Sequence, residues 1–70
     1  MKKRHRELTV LIEQDEDGFY VARVPSLASC YTQARTMETL RKRLHEVIAL
    51  CLQKSDPVPM RFVAVEQVEV

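Results

Sequence analysis

Seventy residues, 46% hydrophobic and 30% charged, describe one small globular domain and exclude both a disordered tail and a multidomain protein. A net charge of +1 singles out neither nucleic acid nor an acidic partner, and no apolar run approaches the roughly 20 residues that cross a bilayer. A chain this short buries only about 60% of its unfolded surface, so disulfides, a metal or self-association are the usual supplements. Two cysteines, Cys30 and Cys51, make no cystine framework, and no signal peptide precedes them. The expectation is a reducing, cytoplasmic setting and stability supplemented by a homodimer or higher homo-oligomer.

The chain opens on a basic tip, Lys2, Lys3, Arg4 and Arg6, read as a solvated terminus, with a phosphate-contacting arm as the alternative. "ELTVLIEQ" alternates Leu8, Val10 and Ile12 against Thr9, Leu11 and Glu13, which is the period of a strand. The acidic run Glu13 to Asp17 ends at Gly18, and Asp-Gly between alternating segments marks a hairpin. "FYVARV" is the return strand, with Phe19, Val21 and Arg23 on one side and Tyr20, Ala22 and Val24 on the other.

Pro25 ends that strand, "SLAS" connects, and Cys30 to Ala34 forms a short third strand. Thr36 is suited to cap a helix, with Glu38 in its first turn. Met37, Leu40, Leu44, Val47, Ile48 and Cys51 recur at three- and four-residue steps, giving one apolar helix face that ends near Gln53. Arg41, Lys42, His45 and Glu46 fall largely opposite, and Glu38 and Lys42 are spaced for an ion pair. Pro57 and Pro59 stop the helix, and "MRFVAVEQVEV" reads as a last strand joining the sheet.

The predicted architecture is therefore a two-layer α+β domain, β-β-β-α-β, spanning residues 1–70 with residues 1–6 as the basic tip. One helix covers one face of such a sheet. The other face, carrying Leu11, Tyr20, Val24 or their counterparts, is expected to be an interface.

Catalytic chemistry finds little support. Asp15, Glu16 and Asp17 sit on one turn, whereas a metal-dependent nuclease needs carboxylates converging from separate elements. Cys30, Cys51, His5 and His45 lack zinc-ligand spacing, and His45 falls on the solvent side, away from either thiol. The expectation is a non-enzyme with no cofactor and no metal.

Residues 7–54 resemble the HicB-like antitoxin domain. The likeness lies in Gly18-Phe19-Tyr20, Val24-Pro25, Leu27, Cys30, Thr36 and Glu38, in that order. Ser29 stands where the family usually has a glycine before the cysteine, and Ala34 where it has one two residues before the threonine. Arg35 and Thr39 replace two further acidic positions. The resemblance implies a degraded ribonuclease-H-like fold without catalytic duty, and masking of a HicA-like RNA-cleaving toxin. Many members add a C-terminal DNA-binding segment, for which the stretch to Val70 leaves no room. Candidate partner contacts are Arg41, Lys42, Asp15, Asp17 and Tyr20. The alternative is a small nucleic-acid binder using Lys2, Lys3, Arg4 and Arg6, with Arg41 and Lys42.

Overall fold

The computed structural model describes residues 7–70. Three strands, β1 (Leu11–Gln14), β2 (Tyr20–Arg23) and β3 (Tyr31–Ala34), precede one helix, α1 (Met37–Lys54). The sheet is antiparallel with order β1-β2-β3. Ile12 pairs with Ala22 and Ala22 with Thr32, which fixes the faces. The protein is a two-layer α+β domain, as the alternation predicts.

The β1–β2 turn is built by Asp15. Its carboxylate Oδ1 accepts from the amides of Asp17 and Phe19, each at 2.9 Å. Gly18, at φ +90°, turns the chain in a region that side-chain-bearing residues avoid.

The stretch from Val24 to Cys30 is not a loose linker. Val24 donates to the carbonyl of Cys30 at 2.9 Å and Leu27 to that of Val24 at 3.1 Å. Val24, Leu27 and Cys30 are buried together, and Leu44, Val47, Ile48 and Cys51 of the helix pack on them. Ser29, one of the positions where glycine was expected, takes φ +56°. The loop keeps a left-handed residue there although serine has a Cβ to accommodate, at a cost of about 1–2 kcal/mol. Ala34 is different. It sits in ordinary strand backbone, and its methyl group packs in a second cluster with Ala22 and Leu40.

Thr36 caps α1 as expected, its Oγ1 accepting from the amide of Thr39 at 3.1 Å. Met37, Leu44, Val47, Ile48 and Cys51 are half-buried and Leu40 fully so, while Arg41, Lys42, His45 and Glu46 are exposed. Glu38 and Lys42 form no ion pair. Among the described residues the single salt bridge joins Arg23 to Glu13 across the β1–β2 pair.

The sequence reading and the structure part at the last segment. "MRFVAVEQVEV" alternates like a strand, yet residues 55–70 enter neither helix nor sheet. Met60, Phe62, Val63, Val65 and Val68 are all more than half exposed. The segment is tied at its root, where Val58 donates to the Ser26 carbonyl at 2.8 Å. Alternation reports a preference for an extended, partnered backbone, and within this chain the partner is not engaged.

The helix packs against β2 and β3 and makes no contact with β1. Ile12, on the helix side of β1, is consequently 41% exposed. Leu8 and Val10, just before the strand, lean into the two clusters instead.

Candidate interaction surface

The register puts Tyr20, Ala22, Thr32 and Ala34 beneath the helix. Tyr20 packs on the Ala22–Ala34–Leu40 cluster and Val24 is buried. Both were expected on the open face, and both lie on the covered one. The two alanines explain this: their small side chains let the helix approach, so their side of the sheet becomes the core.

The open face is made by the alternate residues: Leu11 and Glu13 on β1, Val21 and Arg23 on β2, Tyr31 and Gln33 on β3. Leu11 and Val21 are half-buried by their neighbours, and Tyr31 is 63% exposed. The face continues past the strand ends to Phe19, over whose ring the Arg35 guanidinium lies 4.6 Å from the centroid. Such a stacked arginine is held in place while its edge remains free to bond a partner. Arg43 reaches from the helix to the Gln33 carbonyl at 2.8 Å, bracing the β3 side. The result is a surface of two aromatics, Tyr31 and Phe19, and two aliphatic groups, Leu11 and Val21, with Arg23, Arg35 and Arg43 about them.

The other sequence-predicted contacts are dispersed. Arg41 and Lys42 project from the helix layer. Asp15 is engaged in the hairpin turn, and Asp17 is exposed beside it. Among the described residues no hydrogen bond or ion pair joins Arg41 or Lys42 to either aspartate. Lys2, Lys3, Arg4 and Arg6 lie outside the described residues. Tyr31, Phe19 and Arg35 were not among the expected partner contacts. Strand alternation put Phe19 on the side of Val21 and Arg23, and the register of β3 against β2 brings Tyr31 to the same side.

Among the described residues no three His, Cys, Asp or Glu side chains gather as metal ligands. Cys30 is buried, and its thiol is pushed up to about 11, chiefly by burial and then by the neighbouring Cys51. It is held as a protonated thiol, a poor nucleophile. No described helix is long and apolar enough to cross a membrane.

No protein-family model matches the chain. It is 41% identical over 66 residues to a UPF0150 protein of Synechocystis, covering 93% of this chain and 96% of that one. It is 43% identical over 65 residues to a UPF0150 protein of Archaeoglobus fulgidus, covering 91% and 94%. A UPF0150 protein of Thermotoga maritima is 36% identical over 73 residues, covering 100% and 97%.

Proposed function

The chain belongs to the UPF0150 family, and from that premise we propose that it is a non-enzymatic interaction domain of the antitoxin type, which masks a small HicA-like RNA-cleaving protein. The observation that carries this reading is the open sheet face, where Tyr31, Val21 and Leu11 stand beside Arg35 and Arg23. Aromatic and arginine side chains on a rigid surface are the usual anchors of protein recognition. The HicB-like pattern from Gly18 through Glu38 supplies the kind of partner. The buried, protonated Cys30 is a poor nucleophile, and the Asp15 carboxylate is committed to its turn.

Masking here is steric. A domain that covers an RNA-cleaving surface needs shape and anchoring groups, and no proton or metal has to move. The test is co-expression with a HicA-like protein encoded beside this chain. Growth rescue and a co-purifying complex support masking. A toxin that kills equally with and without the chain, and does not co-purify, removes it. Direct RNA binding that weakens steeply with added salt would instead favour the nucleic-acid reading.

A further inference from the structure

We propose that residues 59–70 are an exchange arm, which pairs along the free β1 edge of a second copy of this chain in a reciprocal dimer. The arm alternates as a strand, and Met60, Phe62, Val63, Val65 and Val68 are 53–80% exposed. Beyond Val58 it makes no backbone hydrogen bond among the described residues. An extended strand with open donors and acceptors is a template for pairing, and its apolar side chains gain by leaving water.

The size of the unfilled surface fits a second copy. The chain exposes 6286 Å², where a compact chain of 8.2 kDa exposes about 4,500 Å². The difference comfortably exceeds the roughly 800 Å² per partner of a stable complex. The radius of gyration is 13.7 Å against about 11 Å for a compact chain of this length, with extents of 46 × 28 × 19 Å. The protein is drawn out along one axis, as a body with an arm is.

The receiving edge is β1. Its outer side is unpaired among the described residues, where the sheet order is β1-β2-β3. The helix leaves it uncovered, with Ile12 partly exposed on that side. A cavity of about 540 Å³ opens between the arm's root at Pro57, Met60 and Phe62 and the approach to β1 at Leu8 and Leu11. The first residues of the arm thus lie near the approach to the chain's own β1, with no backbone hydrogen bond to it among the described residues. Reciprocal exchange is a closed arrangement: each copy gives one arm and receives one, so no edge is left to propagate. The open sheet face stays available to a different partner.

The test uses the full chain by itself. Light scattering across a dilution series reports its mass. Isotope-filtered NMR on a mixture of nitrogen-15- and carbon-13-labelled copies reports which contacts cross between molecules. A dimer with intermolecular contacts between residues 59–70 and residues 9–14 supports exchange. Replacing both Val63 and Val65 by Asp should weaken the dimer at least tenfold, with helical signal retained because neither side chain is in the core. Val68→Asp should weaken it in the same direction. A monomer at every concentration overturns the proposal, as do a dimer whose arm contacts are all intramolecular and an arm that orders only with a different protein. None of these outcomes depends on toxin masking, so the two readings fail separately.

Discussion

The amide of Val58 donates to the carbonyl of Ser26 at 2.8 Å, and this bond is where the body of the protein ends. Ser26 is buried in the loop packed under the helix, so its carbonyl has few substitutes for that donor. Before Val58 the chain is helix and core. After it, twelve residues run on without a backbone partner among those described.

Replacing Val58 by proline removes the donor and leaves the Ser26 carbonyl unsatisfied. The expected cost is about 1–2 kcal/mol. In a domain of this size each kcal/mol lowers Tm by roughly 4–8 °C, measurable by thermal melting at fixed protein concentration. An unchanged Tm would mean that the tie does not hold the arm's root.

The two positions where the HicB-like pattern has glycine should respond in opposite directions. Ser29→Gly relieves a left-handed residue at φ +56° and adds unfolded-chain freedom, for a net gain of about 0.5–1 kcal/mol. Ala34→Gly removes a core methyl beside Leu40 and loosens a strand, for a loss of about 1–2 kcal/mol. Urea unfolding of the two variants checks both signs. Two changes of the same sign would refute the assigned backbone at Ser29 or the packing at Ala34.

Stability should fall in alkali through Cys30. Its pKa is raised from 9.0 to about 11, so the folded state keeps a proton that the unfolded state gives up first. Below pH 9 both states are protonated and the contribution is complete. As pH rises from about 9 to 11 it is progressively lost, to the extent of about 2–3 kcal/mol. The urea midpoint of the native chain, relative to that of Cys30→Ala, should decline across this window. Parallel pH profiles would contradict the burial of the thiol.

Much of this fold can be read from the sequence. Alternation around Asp15–Gly18 gives the hairpin, Thr36 gives the start of the helix, and the spacing from Met37 to Cys51 gives its buried face. Tyr20 shows where that reading stops. Period-two patterning separates two faces of a strand but does not say which one the helix takes, and the decision rests on Ala22 and Ala34 across the sheet. The last segment shows a second limit. Phe62 to Val68 carries the pattern of a strand whether its neighbour belongs to the same chain or to another one. The open face combines both limits: Tyr31, Val21 and Arg35 come together through register, which short strands specify only once they are packed.

Masking of an RNA-cleaving partner is tested most directly by titrating the purified chain into a purified HicA-like protein and measuring cleavage of a single-stranded RNA. The prediction is that cleavage falls to background at a fixed ratio of the two proteins. Tyr31→Ala, which removes the most exposed anchor on the open face, should raise the concentration needed by about tenfold or more without altering the chain's own mass in light scattering. Cleavage that continues unchanged at excess chain, in a toxin shown to be active, would contradict it.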